Sequence, residues 1–241
     1  MAYREHGGYE ERTLATRRGE LAVRLYRARE AALGAVWIGG AGGGWDTPAR
    51  NLYPRLCAKL RTEGITSLRV RLRDPENLPG SVADVTTGIE LLESLGAQAL
   101  ALVGHSFGGA VVIQAAVRNA AVRTVVTLAT QSYGADPVAA LAPRCSILLV
   151  HGDADPVVPW EASERVYRLA REPKRFVRIR GAGHTLDEAA GQVQALVRDW
   201  ILAALRSARV VGAGARAPRA VGAPRRTRHR GRPGARKPRT R

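Results

Sequence analysis

The sequence is poor in cysteine. Its 241 residues include two, Cys57 and Cys145, and neither belongs to a Cys-x-x-Cys or Cys/His pattern. Isolated cysteines supply neither a zinc ligand set nor the framework of a disulfide-stapled scaffold. We therefore expect two small buried thiols, no metal site and no other cofactor, in a reduced, cytoplasmic protein.

Long apolar runs are also missing. A membrane-spanning helix needs about 18 or more consecutive apolar residues, and no run in this chain approaches that length. The first residues, MAYREHGGYEERTL, are polar and charged, whereas a secretion signal has an apolar central region. The sequence predicts neither a membrane span nor a signal peptide.

Acidic residues are absent from the C-terminal segment. Residues 207–241 contain 12 of the 38 Lys+Arg and none of the 21 Asp+Glu, so this tail carries +12 of the formal net charge of +17. It also lacks Leu, Ile, Phe, Tyr and Trp. Such a segment cannot bury enough apolar surface to offset its chain entropy. We expect a folded domain over residues 1–206 and a disordered basic tail over residues 207–241.

The tail has two interpretations. An arginine-rich arm binds nucleic acid weakly by releasing counterions. Alternatively, it is a solvated extension without a specific partner. The second interpretation is favoured, because no aromatic residue is interleaved to stack on bases.

The body alternates strands and helices. Residues from about 12 onward alternate apolar and polar side chains on both sides of Gly19, which predicts an antiparallel hairpin. The expected later strands are 35–38, 65–71, 99–103, 122–129, 145–150 and 175–179, and the expected helices are 48–63, 81–95, 107–119, 160–171 and 186–205. This alternation is typical of an α/β protein with a mostly parallel sheet covered by helices on both faces. Catalytic groups of such sheets lie at the carboxyl ends of the strands.

One such strand end carries the pattern Gly-x-Ser-x-Gly. The strand ALALV runs into Gly104-His105-Ser106-Phe107-Gly108 and directly on into an apolar helix. A sharp turn of this kind forces its central residue into a strained conformation. Because a Cβ at Gly104 or Gly108 would collide with neighbouring backbone, both positions require glycine. Ser106 is therefore a candidate nucleophile at a helix N-terminus.

An acid and a histidine follow in the order that this chemistry requires. The segment HGDADPVVP, which contains Asp155, follows the next-to-last strand, and GAGH, ending at His184, follows the last strand on a flexible glycine loop. A serine hydroxyl needs an imidazole to accept its proton, and the imidazole needs a carboxylate to fix its tautomer.

Together, GHSFGG, HGDADPVVP and GAGH make residues 12–205 resemble an α/β-hydrolase-fold serine hydrolase, similar to esterases and dienelactone-hydrolase-like proteins. The resemblance implies Ser106 as nucleophile, His184 as general base and then acid, and Asp155 as its orienting carboxylate. Asp153 is the competing carboxylate, and we expect it to shape the turn instead. Dienelactone hydrolase has Cys at the nucleophile position, so Ser106 points toward ester chemistry.

The same resemblance implies two backbone donors for the oxyanion of the tetrahedral intermediate. One is the N–H of Phe107, and the other comes from the glycine loop, residues 39–44, with Ala41 in the donor position and Gly40 as the neighbouring candidate. Gly39 stands where the family has histidine. A phosphate cradle is disfavoured, because the loop lacks the Lys-Ser/Thr of a P-loop.

Other histidines and tryptophans have less direct roles. We expect His105 and His151 to hold loops through hydrogen bonds, while His6 and His229 lie near the termini. Trp45 and Trp160 are candidates either for the substrate pocket or for core packing.

Only about 15 residues separate the strand ending near Ala129 from the next one at Cys145, where larger members of this fold insert a helical cap. The sequence therefore predicts an open, shallow site with minimal or no cap, suited to small or short-chain esters. Two alternatives remain: a peptidase, thioesterase or acyltransferase on the same fold, and a catalytically idle scaffold with a nucleic-acid-binding tail.

An electrostatic arm makes a testable prediction. Deleting residues 207–241 should abolish salt-sensitive binding to DNA or RNA and leave ester hydrolysis unchanged, because the tail contains none of the candidate site residues. Fluorescence anisotropy with labelled oligonucleotides at several salt concentrations measures the binding, and each neutralised phosphate contributes about 0.9 to the log–log slope. Equal binding by the full and shortened chains would exclude the arm.

Overall fold

A computed structural model describes residues 4–6, 8–29 and 32–214 of the protein. In this part of the chain, nine strands form one sheet and five α-helices pack on it. The strands are β1 Arg4–His6, β2 Tyr9–Thr16, β3 Gly19–Tyr26, β4 Leu33–Ile38, β5 Ile65–Val70, β6 Ala99–His105, β7 Val122–Leu128, β8 Ser146–Gly152 and β9 Lys174–Ile179. The helices are α1 Pro48–Thr62, α2 Leu78–Ser94, α3 Phe107–Arg118, α4 Glu161–Leu169 and α5 Ala190–Gly214.

The sheet has the order β1-β2-β3-β5-β4-β6-β7-β8-β9. The expected hairpin is confirmed, since β2 and β3 pair in antiparallel register up to Thr16 and Gly19. From β5 to β9 along the sheet, neighbouring strands are parallel. Their carboxyl ends therefore lie at one edge, which brings together the loops that carry Ser106, Asp155 and His184.

The central strands are apolar on both faces because helices cover both faces. In β4, Val36 and Ile38 belong to a core shared with α2 and α3, while Ala35 and Trp37 belong to a second core shared with α1 and α5. A continuous apolar strand of this kind is typical of a parallel sheet buried between two helical layers. The predicted fold class is thereby confirmed.

The structure differs from the prediction at the start of α1. Its first turn is left-handed, since Ala49, Arg50 and Asn51 have φ values of 49°, 49° and 66°. Hydrogen bonds compensate for this unfavourable backbone: the Ala49 N–H donates to the Thr185 carbonyl at 2.6 Å, and the Arg50 N–H donates to the Asp187 carboxylate at 2.8 Å. This turn therefore ties α1 to the loop that carries His184.

The C-terminal boundary also differs. Helix α5 continues to Gly214, so the domain boundary predicted at residue 206 falls inside a helix rather than at its end. The remainder of the predicted tail, residues 215–241, lies outside the described residues, as does His229. A shortened chain that keeps the whole of α5 lacks residues 215–241.

Between β7 and β8, the chain forms one short 3-10 helix, Asp136–Ala140, and the expected absence of a large cap insertion at this position is confirmed. Among the described helices, none has the length and apolar character needed to cross a membrane.

Candidate active site

Ser106 lies on a strained turn between β6 and α3. Its φ of 53° and ψ of −119° are rare for a residue with a side chain. A Cβ at Gly104 would overlap the Gly108 carbonyl, and a Cβ at Gly108 would overlap the Gly39 carbonyl. The predicted requirement for glycine at both positions agrees with this geometry. A third close contact, between Gly109 and the Thr130 side chain, was not foreseen.

Asp155 accepts hydrogen bonds with both oxygens of its buried carboxylate. Oδ1 accepts the N–H groups of Val157 at 2.8 Å and Val158 at 2.9 Å, and Oδ2 lies 2.8 Å from Nδ1 of His184. Burial acts to raise the pKa of the Asp155 carboxyl, but the hydrogen bonds from Val158, His184 and Val157 outweigh it and hold the pKa below its usual value. The carboxylate is thus charged where it contacts the imidazole.

The competing carboxylate has a different partner. Oδ1 of Asp153 accepts the N–H of Gly181 at 2.6 Å, which joins the loop after β8 to the loop after β9. Asp153 is exposed, whereas the Asp155 side chain is fully buried. The contact with His184 favours Asp155, and Asp153 shapes the neighbouring turns.

The loop that carries His184 is more constrained than its glycines suggest. The ring Nε2 of His105 lies 3.0 Å from the His184 carbonyl, and the Glu188 carboxylate accepts the Gly183 N–H at 3.1 Å. The bond from Ala49 to Thr185 adds a third tie. Contacts distant in sequence thus hold this glycine-containing loop in the described structure.

Ser106 and His184 line one open pocket of about 470 Å³. Gly40, Ala41 and Val157 also line it. In the described part of the chain, no hydrogen bond joins the Ser106 hydroxyl to the His184 imidazole, although the two side chains face the same space. Such contacts are often long in enzymes without substrate and tighten in the reactive complex.

Two backbone N–H groups beside this pocket have no acceptor in the described part of the chain. The N–H of Phe107, at the first position of α3, and the N–H of Ala41 have no acceptor among the described residues. Gly40 lies against the strained turn at Ser106, since a Cβ at Gly40 would be 3.1 Å from Cβ of Ser106. At Gly39, where the resemblance implies histidine, a Cβ would be 3.2 Å from the Asp46 carbonyl, so this position has little free space.

His151 has a closer relation to the site than the sequence indicated. The side chain is fully buried, and its Nε2 lies 3.0 Å from both Oδ2 of Asp155 and the Val158 carbonyl. Since a carbonyl only accepts, Nε2 carries the proton, and Nδ1 accepts from the Ser163 hydroxyl at 2.6 Å. Burial lowers the pKa of His151. Oδ2 of Asp155 thus lies against two imidazoles, His151 four residues before it and His184 on the loop after β9.

The two candidate tryptophans are not among the residues lining the pocket. Instead, the Trp45 ring lies 4.2 Å from the Arg24 guanidinium, and the Trp160 ring lies 4.3 Å from the Arg178 guanidinium. Of the two roles left open by the sequence, the pocket role is therefore not the one the structure shows, and both tryptophans form cation–π pairs.

Cys57 and Cys145 are buried and free, as expected. Within the described ranges, no group of His, Cys, Asp and Glu side chains is arranged to hold a metal ion.

Comparison with known proteins supports the resemblance. A family model described as "Alpha/beta hydrolase family" matches residues 35–144. Est1E from Butyrivibrio proteoclasticus superimposes with a TM-score of 0.69 at 17% identity, over 81% of this chain and 99% of that one. A dienelactone hydrolase from Anabaena variabilis gives 0.69 at 18% identity, over 82% and 99%. The chain has the α/β-hydrolase fold.

Curated relatives of this α/β-hydrolase-fold protein include the uncharacterized protein YfhR. The Escherichia coli (strain K12) protein is 32% identical over an alignment of 133 residues, and the match covers 45% of this chain and 47% of the relative. The Salmonella typhimurium protein is 38% identical over 76 residues, 32% of this chain and 26% of the relative. The chain thus spans less than half the length of these relatives.

Partly buried His105 predicts a pH-dependent stability. Burial lowers the pKa of His105 from its ordinary 6.5 to about 4, so the unfolded chain binds more protons than the folded protein between these values. Stability is then fully present above pH 6.5 and falls as the pH drops toward 4, by about 2 kcal/mol between pH 7 and pH 5 from this group.

His105→Gln, which keeps a donor for the His184 carbonyl, should remove the loss of stability that His105 causes between pH 7 and pH 5. Urea unfolding of wild type and variant at pH 7 and pH 5 measures it. The quantity compared is the change in the free energy of unfolding from pH 7 to pH 5, and not the free energy at either pH. An unchanged difference would show that His105 is not held neutral by burial.

Proposed function

We propose that this protein is a serine hydrolase that cleaves small carboxylic esters through an acyl-enzyme on Ser106. One observation carries the proposal: the Asp155 carboxylate contacts Nδ1 of His184 at 2.8 Å, and the opposite edge of that imidazole shares a pocket with Ser106. No structural role needs a strained serine, an oriented imidazole and a buried carboxylate at one strand edge.

The proposed reaction begins with attack of the Ser106 Oγ on the ester carbonyl carbon. Nε2 of His184 accepts the hydroxyl proton, while Asp155 keeps the proton on Nδ1 and stabilises the imidazolium. The N–H groups of Phe107 and Ala41, with Gly40 beside them, receive the oxyanion. His184 then gives its proton to the departing alcohol, leaving an acyl group on Ser106.

The second half of the proposed reaction uses water in place of the alcohol. His184 accepts a proton from the water as its oxygen attacks the acyl carbon, and the same backbone donors bind the second oxyanion. Collapse of this intermediate returns the proton to Oγ of Ser106 and releases the carboxylic acid. Each donor that binds the oxyanion is worth about 2.7 to 4 kcal/mol of transition-state stabilisation.

The pocket supports small substrates. Its volume of about 470 Å³ lies at the lower end of ligand sites, and no cap encloses it within the described residues. Est1E, a protein of the same fold, binds ferulic acid, so an aromatic acyl ester belongs in the substrate series beside acetate, butyrate and octanoate esters. Cytoplasmic location remains a prediction from the sequence.

Labelling by a fluorophosphonate probe tests the nucleophile. Wild type should be labelled, and Ser106→Ala should not, because the probe reacts with an activated serine. In parallel, p-nitrophenyl acetate and butyrate should be hydrolysed faster than the octanoate, since the open site has little apolar surface to contact a long acyl chain. A well-folded wild type without labelling would favour the idle scaffold instead.

A matched pair of variants tests the carboxylate. Asp155→Asn should lower kcat by about 10⁴, because an amide no longer holds the His184 tautomer. Asp153→Asn should stay within about threefold of wild type, because its amide oxygen still accepts the Gly181 N–H. Steady-state hydrolysis of p-nitrophenyl butyrate measures both. Equal losses in the two variants would contradict the assignment of the acid to Asp155.

A further inference from the structure

The glycine loop, residues 39–44, requires support that its sequence does not show. At its near end, the Tyr53 hydroxyl donates to the Ile38 carbonyl at 2.9 Å, and the Gly39 carbonyl packs closely on Gly108. Within the loop, the Gly43 N–H donates to the Gly40 carbonyl at 3.2 Å. Glycine-rich backbone loses more conformational freedom on ordering than any other, so the far end also needs a fixed point.

Trp45 is that fixed point. Its carbonyl accepts a hydrogen bond from Nη2 of Arg69 on β5, and its ring lies 5.4 Å from the same guanidinium. One arginine therefore holds both the backbone and the side chain of the residue that follows the glycine loop.

The environment of Arg69 shows that this contact is not an ordinary surface interaction. Arg69 is only 5% exposed, and no carboxylate within the described ranges forms an ion pair with it. Burial of a cation is unfavourable unless other groups compensate. The Trp45 carbonyl and ring are compensating groups that the structure provides.

Arg24 extends the arrangement to the N-terminal hairpin. It is the direct cross-strand partner of Arg69 in the β3–β5 pair, where two like charges would repel. Its guanidinium lies 4.2 Å from the Trp45 ring, and its Nε donates to Glu11 on β2 at 2.8 Å. An aromatic ring that contacts both cations offsets part of this repulsion.

We propose that Arg24, Trp45 and Arg69, the Trp45 cluster, are positioning residues that hold the backbone donors of Gly40 and Ala41 toward Ser106. The inference rests on the proposed function. The cluster replaces, through contacts from β3 and β5, the support that a side chain at Gly39 would otherwise give. It acts on the oxyanion and not on the substrate, because Trp45 does not line the pocket.

The test compares substitutions of two tryptophans. Trp45→Ala should lower kcat by about 10- to 100-fold with KM within about threefold, since loss of one oxyanion donor costs about 10²- to 10³-fold. Trp45→Phe should restore kcat to within about threefold of wild type, because it keeps an aromatic face. Trp160→Ala is the matched control, since it removes a similar Arg–Trp pair away from the pocket, and its kcat should be unchanged.

Inhibitor affinity separates positioning from general damage. A trifluoromethyl ketone adds to Ser106 and places its oxyanion between the same donors, so its affinity should weaken in parallel with kcat/KM across the variants. Thermal unfolding shows which variants are folded at the assay temperature. If Trp45→Ala is unfolded there, Arg24→Gln, which keeps Trp45 and removes one cation, should lower kcat by about 3- to 10-fold with KM unchanged.

Three results would overturn the inference: a folded Trp45→Ala with wild-type kcat, an equal loss in Trp160→Ala, or a higher KM at unchanged kcat. Each presupposes an active wild type labelled at Ser106. A folded wild type with neither labelling nor turnover would instead overturn the proposed function, and this inference with it.

Discussion

The carboxyl edge of the sheet depends on backbone segments that approach one another without side chains between them. A Cβ at Gly108 would overlap the Gly39 carbonyl, and a Cβ at Gly152 would overlap the Ala182 carbonyl. The first contact places the glycine loop against the Ser106 turn, and the second places the end of β8 against the loop that carries His184. Because both use backbone alone, they set the spacing of the candidate groups before any side chain contributes.

Three histidines occupy this edge in different environments. His105 and His151 are kept neutral by burial, and each uses a ring nitrogen to hold a loop or a carboxylate in place. His184 retains 16% exposure of its side chain and faces the pocket. His151 is fully enclosed, whereas His105 and His184 both line the pocket, and of these two His184 has its Nδ1 against the Asp155 carboxylate. Asp155 links them, since its Oδ2 contacts both His151 and His184.

Local patterns predicted the parts of this structure that depend on neighbours in sequence. The alternation of apolar and polar side chains, together with the turn residues, located the hairpin. The glycine spacing located the strained turn at Ser106. The left-handed turn at Ala49 was not predictable, because it is stabilised by Thr185, far along the chain. The same holds for His151 and Ser163, which meet only after α4 packs on β8. The contacts of Trp45 with Arg24 and Arg69 were likewise not predictable, since those arginines lie on β3 and β5.

Several arginines of the folded part of the chain form hydrogen bonds with backbone carbonyl groups. Arg144 donates to the carbonyls of Ala116, Asn119 and Val122 around the end of α3. Arg61 donates to the Gly8 carbonyl and Arg18 to the Gly80 carbonyl, while Arg69 contacts Trp45. These guanidinium groups satisfy backbone acceptors at helix ends and loops, so they need no equal number of carboxylates. The excess of base over acid in the body is therefore weak evidence for a polyanionic partner, and any electrostatic recognition of nucleic acid must be argued from the tail alone.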